Sequence, residues 1–350
     1  MPDTPEPTAL SQFVSPSLAR RIAAPVELSA PGSHLGLTWR RLTADDVEQA
    51  HALSIACEDD DKPTVSPCLP GLTRQTARAL ADPNVVDSLA GFDAHGQMQA
   101  LAFVETLTQP LSELQADLFA LISPAWRGRG IGRALLDWQD GRARQMLLDD
   151  GRDLPISIRC MVEAHQVERR RLLAAGGFSP ALTYASMTRT ITEADVERAQ
   201  SARDRLKERG LEIRPVTEDI EGELRRLHNR LAISIPRSQP ISPERWQVLM
   251  DTICRDCSVI LTDDDAIVGF ALATTDEEGP VIIGHFGVDR ALRNSGIGTD
   301  LIISRLDSRL FDAKKDLLVP VALGGRAHQP FLSRAGFVEA SSRILYTIDI

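Results

Sequence analysis

The sequence lacks any apolar run that approaches the ~20 residues needed for a transmembrane helix. It also lacks an excess of positive charge, because 39 Lys and Arg residues stand against 49 Asp and Glu residues, for a net charge of −10. This balance disfavours a general nucleic-acid-binding protein, which carries a basic surface. The opening residues Met1–Pro7 contain neither the basic nor the apolar region of a secretory signal. We therefore expect a soluble, cytoplasmic protein with no membrane or nucleic-acid partner.

Cysteines are few and odd in number, five in 350 residues, which argues against a disulfide framework. Cys254 and Cys257 have the C-x-x-C spacing found in redox and zinc sites. A zinc site needs about four ligands, and no second C-x-x-C or H-x-x-x-H pair completes one. The pair also runs directly into the apolar segment Ser258–Leu261. We interpret both cysteines as structural thiols and predict no metal site.

The chain has a globular composition, with 43% hydrophobic and 25% charged residues, and it is roughly twice as long as an ordinary domain. Beyond residues 1–35, which are rich in Pro, Ser and Ala, the same order of predicted elements occurs twice. Each copy consists of a strand, two helices, a hairpin, a strand, a glycine-rich turn with a helix, a strand with a short helix, and a last strand. We therefore predict a flexible tail at 1–35, related domains at 36–190 and 211–350, and a helical linker at 191–210.

The two copies match most sharply at a glycine-rich turn between a predicted strand and a predicted helix. Arg127–Gly132 reads RGRGIG in the first copy, and Arg293–Gly298 reads RNSGIG in the second. The first N–H groups of a helix have no intrahelical partner, so glycines there allow an anion to approach them. The turns are therefore predicted to bind phosphate, most simply a pyrophosphate. Neither turn has the lysine of a P-loop, and Arg133 stands where a dinucleotide fingerprint needs its third glycine.

A turn of the form R-x-x-G-x-G after an apolar strand, with a later Gly-Phe pair, resembles the GNAT superfamily of acyl-CoA-dependent N-acetyltransferases. The Gly-Phe pairs are Gly177-Phe178 and Gly336-Phe337. The resemblance covers about residues 37–190 and 211–350, and the tandem arrangement is loosely similar to mycothiol synthase and other two-domain GNAT proteins. It implies an α/β (α+β) fold with two tandem GNAT-like domains, each a mixed, splayed central sheet flanked by helices.

The resemblance also implies that acetyl-CoA is the cosubstrate, with its pantetheine arm between the fourth and fifth strands of a domain. An N–H group near Ile122 or Val288 would then polarise the thioester carbonyl. The residues implied in cofactor binding are Leu121, Ile122, Ser123, Arg127, Gly128, Arg129, Gly130, Ile131, Gly132 and Arg133 in the first copy, and Gly287, Val288, Arg293, Asn294, Ser295, Gly296, Ile297, Gly298 and Thr299 in the second.

Direct acyl transfer needs a base, because an alkylammonium acceptor titrates near ~10.4 and must first lose a proton. The catalytic candidates are Asp117 and His285, which lie on the predicted fourth strands. A histidine has an unperturbed pKa near ~6.5, which suits a base at neutral pH, although a lone strand histidine is also commonly a packed residue. Further candidates near these positions stay open: Glu105, Glu113, Glu277, Glu278 and His328.

The acid that would protonate the leaving thiolate is missing from its expected place. The resemblance implies a tyrosine four residues before the glycine of each Gly-Phe pair, and these positions hold Leu173 and Leu332. The only tyrosines, Tyr184 and Tyr346, lie on the last strands, where packing is the favoured interpretation. The acidic run Glu58–Asp61 is interpreted as solvated, the alternative being that it attracts a cationic acceptor.

Two functions of different class follow from these observations. The first is an acetyltransferase that moves the acetyl group of acetyl-CoA to a primary amine of a small molecule, with one or both domains active. The second is a non-catalytic acyl-CoA-binding or regulatory protein of the tandem GNAT type. The first is the leading hypothesis and is motivated by the paired phosphate turns in a repeated GNAT-like layout, whereas Leu173 and Leu332, at the positions where an acid is expected, motivate the second.

Overall fold

A computed structural model describes residues 16–63, 76–107, 110–233, 237–275, 279–323 and 329–350. The chain forms two compact units. Among the described residues, unit 1 consists of the chain up to Ala181 together with Leu345–Ile350, and unit 2 consists of Leu182–Ile344. Each unit is a mixed α/β structure, as the sequence predicts.

Unit 1 has a sheet in the order β1-β2-β3-β4-β5, in which β4 and β5 are parallel and the other neighbours are antiparallel. The last residues of the chain extend this sheet, because Ile156 and Ile350 exchange backbone hydrogen bonds of 3.2 and 2.9 Å. The elements of this half are α1 (Pro16–Ile22), β1 (Thr38–Arg40), α2 (Val47–Asp61), α3 (76–81), β2 (Val86–Phe92), β3 (Met98–Thr106), β4 (Leu114–Ile122), α4 (Ile131–Asp150), β5 (Ile156–Glu163), α5 (Val167–Ala175) and the start of β6 (Ser179–Arg189).

Unit 2 has a sheet in the order β6-β11-β10-β9-β8-β7, in which β10 and β11 form the parallel pair. Strand β6 joins this sheet over its later residues, from Thr183 opposite Leu323 to Arg189 opposite Leu317. The further elements are α6 (Glu193–Glu208), β7 (Leu211–Pro215), α7 (Glu221–Ala232), α8 (Pro243–Met250), β8 (Val259–Asp263), β9 (Ala266–Thr274), β10 (Val281–Val288), α9 (Ile297–Ile303), α10 (Ser308–Asp312), β11 (Leu317–Leu323), α11 (Gln329–Arg334) and the start of β12 (Val338–Asp349).

Helices cover both faces of the sheet of unit 2. Successive residues of a strand point to opposite faces, so alternate residues of β9 meet different helices. Phe270 and Leu272 of β9 pack with the apolar residues of α7 and α8. Ala271 and Ala273, which alternate with them, pack with α6 and α9. The central strands are therefore nearly continuous apolar runs.

Residues 16–35, which the sequence analysis assigns to a tail, pack against α4 in unit 1. Leu18 and Ile22 of α1 are fully buried, and the guanidinium of Arg144 donates to the carbonyl of Ile22 at 2.6 Å. A Cβ at Gly141 of α4 would lie 2.7 Å from a methyl group of Leu28, so this glycine allows the close approach.

The segment predicted as a helical linker contains α6, which is built into unit 2. Ala199, Ala202 and Leu206 are fully buried in the same core as α9. Arg205 of α6 pairs with Asp300 of α9 at 2.6 Å. The helix is thus a structural part of unit 2.

The course of the chain differs from a simple succession of two halves. Residues 182–189, in the first sequence copy, pair with β11 of unit 2, whereas Leu345–Ile350, in the second copy, belong to unit 1. The boundaries 36–190 and 211–350 describe the sequence repeat. The structural units differ from them in that each sheet takes its last strand from the other half of the sequence.

A buried carboxylate fixes the start of α2 in unit 1. Asp46 accepts hydrogen bonds from the backbone N–H and the hydroxyl of Thr43, both at 2.7 Å. Arg40 adds two further bonds of 2.6 and 2.7 Å. The bonds from Arg40, helped by Thr43 and opposed by burial, lower the pKa of Asp46 to about 2. The T-x-x-D spacing is that of a capping box.

We expect Asp46→Asn to lower the free energy of unfolding by about 2 kcal/mol at pH 7, because the folded state holds the charged form. The unfolded carboxyl titrates near ~3.9, so this contribution is complete above that pH and is lost as the pH falls towards 2. Urea unfolding of wild type and variant at pH 7 and at pH 3 measures it. The exposed neighbour variant Asp45→Asn is the matched control, and an equal deficit at both pH values contradicts the prediction.

Candidate active site

The central strands of unit 1 separate before they end. Pairing of β4 with β5 stops at Leu118 opposite Cys160, although β4 continues to Ile122. Strand β4 stays paired with β3 through Ile122. The N–H of Ser123 donates to the carbonyl of Gln99 on β3 at 2.9 Å. Because successive residues of a strand direct their backbone groups to opposite sides, the N–H and C=O of Ile122 face the gap.

Unit 2 has the same separation, and it begins earlier. Strand β10 pairs with β11 only at Val281 and Ile282, although it continues to Val288. A bulge between Ile283 and His285 leaves Gly284 as an extra residue. The N–H of Asp289 donates to the carbonyl of Val268 on β9 at 2.7 Å. Because successive residues of a strand direct their backbone groups to opposite sides, the N–H and C=O of Val288 face the gap. The predicted splayed sheet is thus confirmed in both units.

The two glycine-rich turns have nearly the same backbone conformation. Gly130 and Gly296, which precede the helices α4 and α9, both have φ of 87°. Two residues earlier, Gly128 has φ of 76° and Asn294 has φ of 62°. No atom lies within 4 Å of a Cβ built at Gly128 or at Gly296, so the space beside the turn is open. This open cradle of backbone N–H groups fits a phosphate group.

The helices that follow the turns differ in their electrostatics. Helix α4 has 20 residues and no acidic residue in its first turn. Helix α9 has seven residues, and Asp300 in its first turn is paired with Arg205. Because the positive end of a helix dipole favours an anion, the turn of unit 1 has the more favourable helix.

The arginines of the first turn are already engaged with the protein. Arg127 donates to Asp60 at 2.5 Å and to Asp61 at 2.8 Å. Arg129 stacks on Trp126, with its guanidinium carbon 4.5 Å from the ring centroid. Part of the acidic run at the end of α2 is therefore an ion-pair partner of the turn.

In unit 1, side chains also satisfy the separated edge of β4. Arg169 of α5 donates to the carbonyl of Ala120 at 2.8 Å. Arg127 donates through Nε to the carbonyl of Ile122 at 3.0 Å, and the thiol of Cys57 lies 3.4 Å from the same oxygen. The acceptors that a ligand in this gap would use are thus bonded within the protein.

Within the described ranges, the corresponding edge in unit 2 has no such partners. Among the described residues, no side chain donates a hydrogen bond to a carbonyl of Gly284–Val288. Gly287 is held close to α7, since a Cβ there would lie 2.6 Å from a methyl group of Leu231. The gap in unit 2 therefore keeps its backbone groups available to a ligand.

The carboxylates considered for unit 1 are all engaged. Asp117 accepts two bonds from Arg159 of β5, at 2.9 and 2.8 Å, in the part of the sheet where the strands are still paired. Glu105 pairs with Arg78. Glu113 accepts a 2.6 Å bond from the amide of Gln115. The guanidinium of Arg159 occupies both oxygens of Asp117, which disfavours Asp117 as a base.

His285 of unit 2 has a different environment. It lies directly after the bulge, and its Nδ1 is 3.0 Å from Nε2 of His228 on α7. Burial, with nearby His228 and Arg245, lowers the pKa of His285 to about 4. Its ring is therefore neutral at pH 7, which leaves a lone pair to accept a proton, although the lowered pKa also makes it a weaker base than an unperturbed imidazole.

The leucines and tyrosines that bear on the missing acid have structural positions. Leu173 and Leu332 are 2% and 0% exposed, so both are core residues. Tyr346 is 5% exposed, lies in unit 1, and accepts a 3.4 Å bond from Arg170. Tyr184 lies on β6 opposite Ala322. Packing, as predicted, accounts for Tyr346.

Several sequence candidates have no role that the structure can assign. Glu277, Glu278 and His328 lie outside the described residues. Burial and a hydrogen bond with Cys254 raise the pKa of the Cys257 thiol to about 12, which disfavours a reactive thiolate. In the described part of the chain, no group of three or more His, Cys, Asp or Glu side chains could hold a metal ion. Within the same ranges, no helix is both long and apolar enough to span a bilayer.

Comparison with known proteins places this geometry in context. Residues 225–319, which contain most of α7 together with β10 and the second turn, match the model of the acetyltransferase (GNAT) family. A GCN5-related N-acetyltransferase from Sphaerobacter thermophilus superposes with a TM-score of 0.66 and 18% identity, over 92% of this chain and 97% of that chain. A tandem GNAT protein from the clavulanic acid biosynthesis pathway gives 0.62 and 17%, over 89% and 98%. The chain has the tandem GNAT fold.

A third structure shares the tandem GNAT fold. It is a glucosamine N-acetyltransferase region of a fungal multi-domain GH3 β-N-acetylglucosaminidase, with a TM-score of 0.63 and 13% identity, over 91% of this chain and 38% of that chain. No curated protein sequence matches the chain significantly. The predicted resemblance to the GNAT superfamily is confirmed, and the family match indicates acyl transfer as the general chemistry, which requires an acceptor. The looser resemblance to mycothiol synthase stays a prediction.

Two residues at the gaps of this tandem GNAT fold, Arg169 and His228, are not among the residues predicted from the sequence. Arg169 reaches the edge of β4 from a different element, and no local pattern marks that contact. His228 lies between Leu224 and Leu231, at helical spacing on the buried face of α7. A polar residue on an apolar helix face is the signal that could have identified it.

We expect the ring C–H resonances of His285 to titrate with a midpoint near 4 rather than near the ~6.5 of an unperturbed histidine. The unfolded state binds the proton more readily, so stability falls as the pH decreases from about 6.5 towards 4. NMR titration of the folded protein, with the resonances assigned through His285→Gln, measures the midpoint. A midpoint above pH 6 would contradict the prediction.

Proposed function

We propose that unit 2 is an acyl-CoA-dependent N-acetyltransferase that moves an acetyl group to the primary amine of a small molecule. The observation that carries this proposal is that, among the described residues, nothing pairs with the side of β10 that faces away from β9 over Gly284–Val288. This stretch contains the neutral His285 and lies within the segment that matches the family model. An unsatisfied edge can pair with the amide groups of a pantetheine arm as a strand would.

In this proposal the backbone of Val288, which faces the gap, binds the pantetheine arm, and the turn from Arg293 to Thr299 binds the diphosphate. The backbone groups of Gly287 face β9 instead. The open space beside Gly296 and its left-handed backbone support this assignment. The turn of unit 1 has a matching backbone, but the carbonyl of Ile122 and the side chain of Arg127 are already engaged there. We therefore assign acyl-CoA binding to unit 2 and a structural role to the gap of unit 1.

The chemistry follows from two groups on β10. His285 accepts a proton from the ammonium of the acceptor, directly or through one water, which produces the nucleophilic amine. The N–H of Val288, on the open edge, donates to the carbonyl oxygen as negative charge develops on it. The amine nitrogen forms a bond to the acetyl carbon and loses its second proton to water, the carbon–sulfur bond breaks, and the sulfur leaves as thiolate.

The thiolate does not require a dedicated acid in this scheme. A thiol has an unperturbed pKa of ~8.5, so the thiolate is a tolerable leaving group and takes a proton from water. Leu332, at the position where the resemblance implies a tyrosine, is fully buried in the core of unit 2 and cannot donate one. The same observation favours the second candidate, a protein that binds acyl-CoA without turnover, and kinetics separate the two.

We expect His285→Gln to lower kcat/KM for acetyl transfer by about 10²- to 10⁴-fold, the range that a general base contributes. Thiol release from acetyl-CoA across a panel of primary amines measures it. Asp117→Asn is the comparator from unit 1 and should stay within about twofold of wild type. The exposed histidine variant His51→Gln is the control for a general effect of losing an imidazole.

Turnover that survives in His285→Gln but disappears in Asp117→Asn would move the active site to unit 1. Binding of acetyl-CoA without turnover by any amine of the panel would support the non-catalytic function instead.

We expect Gly296→Glu to weaken acetyl-CoA binding at least about 100-fold, because it places a carboxylate where the diphosphate is proposed to bind. Gly130→Glu is a matched comparator. Both glycines directly precede a helix and both have φ of 87°, so the two variants carry the same backbone strain. Calorimetry on folded variants, checked by circular dichroism, measures the affinities. A larger loss in Gly130→Glu would assign the cosubstrate to unit 1.

A further inference from the structure

A second histidine lies behind the proposed base and is largely buried. His228 of α7 is 8% exposed, stacks on Phe270 at a centroid distance of 5.7 Å, and meets the edge of Trp246 at 5.5 Å. Its Nε2 lies 3.0 Å from Nδ1 of His285. Two neutral imidazoles at this distance share one proton-bearing nitrogen, so one ring donates and the other accepts.

The direction of that hydrogen bond can be read from the next residue. The side-chain amide of Asn229 is oriented by one backbone residue, because its Oδ1 accepts from the N–H of Ile241 at 2.8 Å and its Nδ2 donates to the carbonyl of Ile241 at 3.0 Å. A backbone N–H only donates and a carbonyl only accepts, so the oxygen and nitrogen of this amide are distinguished.

The oriented amide presents its oxygen to His228. Nδ1 of His228 lies 3.4 Å from Oδ1 of Asn229, an oxygen that can accept a second hydrogen bond. The contact is favourable only when Nδ1 carries the proton. In a neutral ring Nε2 then has the lone pair, and it must accept from Nδ1–H of His285.

We infer that Asn229 and His228 fix the tautomer of His285, so that its Nδ1 carries the proton and its Nε2 keeps the free lone pair. His228 is a positioning residue and does not touch the acceptor. The inference rests on the proposed role of His285 and adds the reason why its Nε2 is the basic atom. Nε2 has no hydrogen-bond partner among the described residues and is not among the fully buried unpartnered atoms, so it keeps some contact with solvent.

The surroundings keep both rings in the neutral form that this chain of hydrogen bonds requires. His228 from α7 and Arg245 from α8 are the charged or titratable groups that act on His285, and a positive charge on either disfavours its protonation. Burial lowers the pKa of His228 as well. Protonation of His285 would add a donor at Nε2 and remove the lone pair.

The tautomers can be read directly by long-range ¹H–¹⁵N correlation NMR of the full-length protein at pH 7, with ¹⁵N-labelled histidine. We expect both rings to show a protonated Nδ1 and an unprotonated Nε2. A protonated Nε2 on His285 in the wild type would overturn the inference whatever the activity.

The functional consequence is tested with two substitutions at one position. His228→Leu removes the acceptor, so the Nε2-protonated form of His285 should gain population and kcat should fall about tenfold or more, with KM for acetyl-CoA unchanged. His228→Gln supplies an amide oxygen and should restore most of the wild-type rate and tautomer. His51→Leu, at an exposed site on α2, is the control.

The outcomes separate this inference from the proposed function. Equal rates and tautomers in His228→Leu and wild type would overturn the positioning role. If the wild-type tautomers are as expected but His285→Gln retains full activity, the hydrogen-bond chain stands and the proposed catalytic role of His285 fails. Should His228→Leu not fold, the wild-type spectrum and His228→Gln still decide the direction of the bond.

Discussion

Backbone N–H and C=O groups inside a sheet must find partners, and in both units the central parallel strands separate before they end. Most features of the candidate sites follow from the way each unit meets this requirement. In unit 1, Arg127 and Arg169 satisfy the carbonyls of the separated edge. In unit 2 no described residue bonds to this edge, and the bulge at Gly284 changes the pairing register of β10 with β9 for the residues that follow it.

The two units thus divide the properties of one site between them. Unit 1 has the longer helix behind its turn and no acidic residue in the first helical turn, which suits an anion. Unit 2 has the free edge and the paired histidines, which suit acyl transfer. Duplication allows such a division, because one copy can be stabilised by internal bonds while the other keeps polar groups available to a ligand.

Features that depend on neighbouring residues could be predicted from the sequence. The glycine-rich turns, the helices after them and the helix at 193–208 all have local signals, and the structure contains each of them. The splayed sheet came from the resemblance rather than from periodicity. Contacts between distant segments could not be predicted, because side-chain patterns report which face is buried but not which partner covers it. The hydrogen bond between His228 and His285, which are 57 residues apart, and the ion pair between Arg127 and Asp61 are contacts between distant segments.

The exchange of last strands has a consequence for the integrity of the molecule. Strand β6 completes the sheet that holds β11, and Leu345–Ile350 complete the sheet that holds β5. Cleavage between β6 and β7 would therefore give two fragments. The first fragment would carry β6, which pairs with β11 of the second, and the second would carry Leu345–Ile350, which pair with β5 of the first. Neither fragment alone could pair the outer edge of its strand β5 or β11. The two halves of the sequence therefore need one another to complete both sheets.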